Sequence, residues 1–164
     1  MIPLPSLTQI VRCHNSWQGF DYQLAIDWAI EQIRKGTETD NILIVAACSA
    51  SDSRYEISPH VSAALRDLNL SEYDEASAMR LRIQNHVVHI LNETDIRNHL
   101  YSLYRIAMET GVRKDVRAFY FLYHGWNELD ASGADLYYGT KKETVVADVK
   151  KEAEIWFRDY SINE

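Results

Sequence analysis

The stretch SEYDEASAMRLRIQNHVVHILNETDIRNHLYSLYRIAMETG, residues 71–111, has no proline and meets its single glycine only at its last position. Its apolar residues recur three and four positions apart: Met79, Ile83, Val87, Ile90 and Leu91 in one run, then Ile96, Leu100, Leu103, Tyr104 and Ala107. That spacing aligns side chains along one face of an α-helix. Proline costs about 3 kcal/mol in a helix interior and glycine about 1, so little in this stretch interrupts coiling. Ser71 to Asn92 reads as one long helix, or two joined near Ala76. Thr94 or Asp95 caps the next, which Gly111 ends.

The same pattern extends in both directions. From His60 to Glu164 there is no proline, and four glycines are the only strong breakers. A helix is predicted over roughly 114–129 and another over 142–160, where Val145, Val149, Ala153, Trp156 and Tyr160 align. Residues 130–140, with Gly133 and Gly139, read as the longest loop. Toward the amino terminus, Ser6 caps a short helix to about His14. From Asp21 to Lys35 the apolar arc is broad: Tyr22, Ala25, Ile26, Ala29, Ile30 and Ile33, widened by Leu24 and Trp28. An arc that wide predicts a helix packed on two sides, and Gly36 supplies its left-handed stop. Thr39 or Asp40 starts a helix to about Ala50, and Ser58-Pro59 marks another start, with proline at the first helical position. The expectation is an all-α fold of seven or eight helices in one domain, residues 1–164, forming a compact bundle or a short curved stack of helix pairs. No repeat period is readable.

Composition narrows the function classes. The 164 residues carry a formal charge of −7. Residues 1–82 hold 11 acids against 7 bases, and residues 83–164 hold 13 against 10. Neither half offers a basic platform for nucleic acid, and the charge suits a basic protein partner better. No run approaches the roughly 20 apolar residues of a membrane span. The amino-terminal residues have no apolar core of a secretory signal, so the cytoplasm is the expected compartment. Cys13 and Cys48 lack CxxC spacing and read as reduced, packed thiols.

Chemistry-bearing constellations are sparse. His86, His89 and Glu93 fall on one helical face at a spacing that could share a zinc or iron ion. A second helix would have to complete the set, with His60, His99 or His124 as the available residues. No HExxH, GxSxG or phosphate loop occurs: Gly139-Thr140-Lys141-Lys142 lacks the upstream glycine of a Walker loop. The plain reading is that these histidines are exposed or hydrogen-bonded, and no cofactor or metal is expected.

A different signal is aromatic. Phe119, Tyr120, Phe121, Tyr123 and Trp126 crowd eight residues and cannot share one stripe; most simply they belong to a helix packed between neighbours. The alternative is that some tyrosines or Trp126 reach the surface as anchors for a partner. The acids Glu128, Asp130 and Asp135 follow, then Tyr137 and Tyr138, with no base between Arg117 and Lys141. Carboxylates that can grip arginine beside tyrosines that supply rigid area would make a partner-binding surface for a basic protein, the plain alternative being solvated loops. Asp67, Glu72, Asp74 and Glu75 form a second acidic candidate.

One further pattern is Asp27-Trp28-Ala29, then Arg34-Lys35-Gly36-Thr37-Glu38-Thr39-Asp40, Ile42-Leu43-Ile44-Val45-Ala46-Ala47, and Tyr55-Glu56-Ile57. Over roughly residues 20–70 it resembles the small helical immunity proteins of contact-dependent growth inhibition and other bacterial polymorphic toxin systems. The resemblance implies a stoichiometric, non-enzymatic inhibitor of a cognate toxin C-terminal domain, often a nuclease whose basic groove attracts an acidic partner. It transfers no binding residue, because such proteins diverge with their toxins. The alternatives are a helical adaptor for an unrelated protein and a metal-dependent enzyme built on the histidine face.

Overall fold

The structure, a computed structural model, describes residues 1–134 and 138–162. Among them are eight α-helices and no strand, so the all-α expectation holds. No helix among the described residues is long and apolar enough to cross a membrane. The chain divides into two compact units, one of residues 5–82 and one of residues 1–4 with 83–164.

In the unit of residues 5–82, α1 (Leu7–Val11), α2 (Gln23–Arg34), α3 (Asp40–Ala47) and α4 (Arg54–Asp67) come first, followed by the start of α5 (Glu75–Leu91). Ser6 closes a capping box with Gln9, and Thr39 accepts from the amide of Ile42 at the start of α3. Helix α2 packs against both α1 and α3, and α3 against α4. The broad arc is the cause: Ala25, Ile26, Trp28 and Ala29 are all buried, too wide a set for one neighbour. Trp28 is fully enclosed with Ile42, Ile57, Val61 and Leu65, and its indole N–H donates to the Thr8 hydroxyl at 3.2 Å. Burying an aromatic or aliphatic side chain of this size contributes about 1.5–3 kcal/mol. Gly36 takes φ +85° after α2, the left-handed stop its position predicts.

Helix α4 departs from expectation. It begins at Arg54, more than a turn before Pro59, which lies inside the helix. The determinant is a capping box, Ser53 with Glu56, which outweighs the proline as a start signal. The carbonyl one turn earlier, which Pro59 cannot engage, belongs to Tyr55; that residue is 90% exposed, so water can satisfy it.

The other unit holds the second half of α5, α6 (Ile96–Glu109), α7 (Arg117–Ser132) and α8 (Val145–Tyr160). Helix α7 packs between α6 and α8. Leu100, Leu103, Ile106, Ala107, Phe119, Val149, Ala153 and Trp156 are buried. Two side-chain amides, Gln84 of α5 and Asn92 just beyond its end, hold segments near the two ends of the chain. Asn92 accepts from the Ile2 amide at 2.9 Å and donates to its carbonyl at 2.8 Å. Gln84 likewise accepts from the Ile162 amide at 2.7 Å and donates to its carbonyl at 3.3 Å. Asp95 precedes α6 but gives it no side-chain cap: its backbone is left-handed, φ +43°. Helix α7 runs to Ser132, past the predicted end, and Gly133 stops it at φ +77°.

Candidate functional site

The outer sides of α6 and α7 carry a continuous field of rings. Tyr104 sits at its centre, with centroids 4.6 Å from Tyr123, 5.4 Å from Tyr120, 5.2 Å from His124 and 6.2 Å from Tyr101. Phe121 extends it and stacks on Tyr138 at 4.9 Å. These rings are not the core. The inward residues of the same helices, Leu103, Ile106 and Phe119, fill that role. Tyr101 is 42% exposed, Tyr138 46%, and Met108 on the outer side of α6 is 54% exposed. Clustered tyrosines beside an exposed methionine are residue types enriched in interface cores. The sequence signal had two halves. The run in α7 was visible, but its completion by Tyr101 and Tyr104 needed the pairing of α6 with α7.

The acidic half of the predicted surface is changed by the fold. Arg97 of α6 forms an ion pair with Asp130, donates to Asn127 at 2.9 Å and lies 4.9 Å over the Trp126 ring. A base distant in sequence thus binds the two predicted anchors, Trp126 and Asp130, internally. Trp126, Leu129, Asp130, Lys142, Val145 and Val146 line a cleft of about 570 Å³. Glu128 is half-buried on the last turns of α7. Asp135 and Tyr137 lie outside the described residues.

The candidates from 67 to 75 are mostly committed within their own unit. Asp67 accepts from Asn41 at 2.9 Å, and hydrogen bonds from Asn41 and Thr39 hold its carboxyl below the usual range. Asp74 caps α5 by accepting from the Ser77 amide at 2.7 Å, which lowers its pKa in the same way. Glu75, the first residue of α5, lines a small cleft with Asn15, Ser16, Gln18 and Arg54.

Glu72 joins a network that the sequence did not reveal. His14, fully buried, places Nε2 3.1 Å from Glu72 and 3.2 Å from the Ser62 hydroxyl, and Nδ1 3.1 Å from the Tyr22 hydroxyl. Ser62 donates to the same Glu72 oxygen, and Asn15 donates to the other at 2.9 Å. A neutral imidazole with its proton on Nε2 satisfies every partner. It donates to Glu72 and accepts from Tyr22. Burial, with the Arg54 charge adding to it, depresses the His14 pKa more than Glu72 raises it. For Glu72, burial pushes upward, but hydrogen bonds from Ser62, Asn15 and His14 outweigh it and lower the pKa. Serine, histidine and glutamate are present, yet serine and glutamate share one imidazole nitrogen. A base that activates serine needs the carboxylate on the opposite nitrogen. The network is therefore arranged to tie loops to α4.

The histidine face also rearranges. His86 and His89 meet His99 of α6, with Nδ1 of His86 3.0 Å from Nδ1 of His99 and His89 stacked on His99 at 4.1 Å and 5°. Glu93, at φ +58°, leaves that face and pairs with Lys150 of α8. Among the described residues, no group of three or more histidine, cysteine or acidic side chains is placed to hold a metal ion. Both cysteines are free; burial raises the Cys13 thiol pKa to about 12, and burial, with Asp52 adding to it, raises that of Cys48.

Comparison of the chain with protein-family models, with curated proteins and with solved structures finds no match.

Proposed function

We propose that this chain works by binding another polypeptide on the ring field of α6 and α7, without catalysis. In keeping with the resemblance of residues 20–70, the partner is taken to be a toxin domain that the chain neutralises in the cytoplasm. The observation that carries the binding role is the placement of Tyr101, Tyr104, Tyr120, Tyr123 and Phe121 in mutual contact on the outer side of two helices whose inner side is already filled. Rings that touch one another lose little side-chain freedom on docking, and tyrosine offers both an apolar face and a hydroxyl. The net charge of −7 favours a basic partner such as a nuclease groove, through faster encounter. Discrimination then rests on the rings more than on carboxylates, since Asp130 is already engaged.

The test is co-expression with the toxin domain encoded beside the gene, scored as rescue of growth, with affinity measured on the purified pair. Tyr104→Ala combined with Tyr123→Ala should weaken binding by roughly 1,000-fold, as loss of two anchors of roughly 2 kcal/mol each implies. The thermal melt should stay cooperative. Full affinity in that variant would remove the ring field from the interface. Rescue by no neighbouring toxin, with ring-dependent capture of another protein, would make the chain an adaptor.

A further inference from the structure

We propose that His99, held between His86 and His89, is an acid-released latch that fastens α6 to the second half of α5 and so keeps the docking rings in register. Its functional consequence rests on the docking role proposed above; its mechanism does not. The geometry sets a limit on protons. His86 and His99 face each other through Nδ1 at 3.0 Å, so one must donate and the other must accept. Two imidazolium rings cannot make that contact, because both would present N–H. On the other side, His89 and His99 are parallel at 4.1 Å, where two positive rings repel.

The charges that act on His99 come from two elements. His89 on α5 opposes a proton on it, and Asp95, just before α6, favours one. Glu93, one turn beyond His89, is paired with Lys150 of α8. Burial is the largest influence, His89 adds to it, and together they exceed Asp95, so the His99 pKa lies below the ordinary histidine range. The sign follows: a depressed pKa means the folded contact favours the neutral ring. The stabilisation is complete above about pH 6.5 and is lost as pH falls through the lowered value. His99 is followed directly by Leu100, which is buried, and then by Tyr101. Release of the first turns of α6 therefore displaces Tyr101 and Tyr104 from Tyr123.

The experiment is hydrogen exchange of the full chain at pH 7.5 and pH 5.0, corrected for intrinsic rates, with α8 as internal reference. Amides of residues 97–104 should lose about tenfold or more protection at the lower pH and regain it on return. His99→Phe keeps a flat ring in the stack without titration and should hold its protection at both pH values. NMR titration of the wild-type histidines keeps the proposal exposed even if that variant misfolds. Both His86 and His99 fully charged at pH 5.0, with α6 protection unchanged, would overturn it. Affinity for the co-expressed toxin domain separates the two claims. Opening of α6 with unchanged affinity would defeat the docking role and leave the latch. Ring-dependent binding with pH-invariant exchange would defeat the latch and leave the docking role.

Discussion

At the scale of single residues, the decisive facts are partnerships between side chains far apart in sequence. His14 is the clearest. Its burial requires Tyr22, Ser62 and Glu72 together, and no spacing rule joins residues 14, 22, 62 and 72. Glu72→Ala should cost about 1–3 kcal/mol, because it removes the carboxylate that accepts from His14, Ser62 and Asn15 together. Urea denaturation at pH 7 checks this. Both His14 and Glu72 have depressed pKa values in the fold, so both contribute stability at neutral pH that is lost in acid. Wild-type stability should begin to fall below about pH 6.5. His14→Gln should flatten the upper part of that decline; an unchanged slope would assign the acid sensitivity elsewhere. Thiol chemistry is legible from burial alone. Cys13, with its pKa at about 12, should resist alkylation until the chain unfolds, while Cys48 labels first in the native protein. Peptide mapping after a short iodoacetamide pulse distinguishes them.

At the scale of elements, periodicity was informative and boundaries less so. The stripes of α2 and α8 bury most of the residues the spacing selects, because a helix must turn its apolar side inward whatever it packs on. In α6, by contrast, Leu100, Leu103 and Ala107 are buried but Ile96 and Tyr104 are only half-buried, and Ile106 takes an inward place. Helix α4 starts at Arg54 rather than at Ser58-Pro59 because the reciprocal bonds of Ser53 and Glu56 satisfy two amides at once. What periodicity cannot encode is which helices become neighbours. That choice decides that Arg97 meets Asp130 and Trp126, and that Tyr104 meets Tyr123. The clamp of Gln84 on Ile162 was equally invisible, since a glutamine in a helix is ordinarily a solvated residue. Gln84→Leu should cost about 1–2 kcal/mol and loosen the end of α8, read as lower amide protection in residues 157–162. A strained point lies after α6, where Val112 follows Gly111 in left-handed backbone, φ +56°. A β-branched side chain is disfavoured there by roughly 1–2 kcal/mol. Val112→Gly should therefore be tolerated or stabilising by up to about 1 kcal/mol, where Val→Gly in ordinary helix would be clearly harmful. A large drop in melting temperature would refute that account.

At the scale of the whole molecule, the proposed docking role separates charge from recognition. Both units are acidic, yet the ring field is centred on tyrosines, and the nearest predicted anchors are already paired with Arg97. Long-range attraction to a basic partner should therefore set how fast complexes form, and the rings should set how long they last. Raising salt from about 50 to 500 mM should slow association several-fold with little change in dissociation, because the Debye length shrinks from well over 10 Å toward a few ångströms. Stopped-flow association at several salt concentrations checks this; a salt effect mainly on dissociation would place buried ion pairs in the interface instead. Finally, α6 and α7 divide their duties between their sides: Leu103, Ile106 and Phe119 hold the scaffold together, while exposed Tyr101 packs ring to ring with half-buried Tyr104, Tyr120 and Tyr123. Such a division makes the surface evolvable. A combinatorial library randomised at those four tyrosines should yield mostly well-folded members, so a lineage could change the identity of its target by drift in a few codons without first crossing a valley of collapsed intermediates.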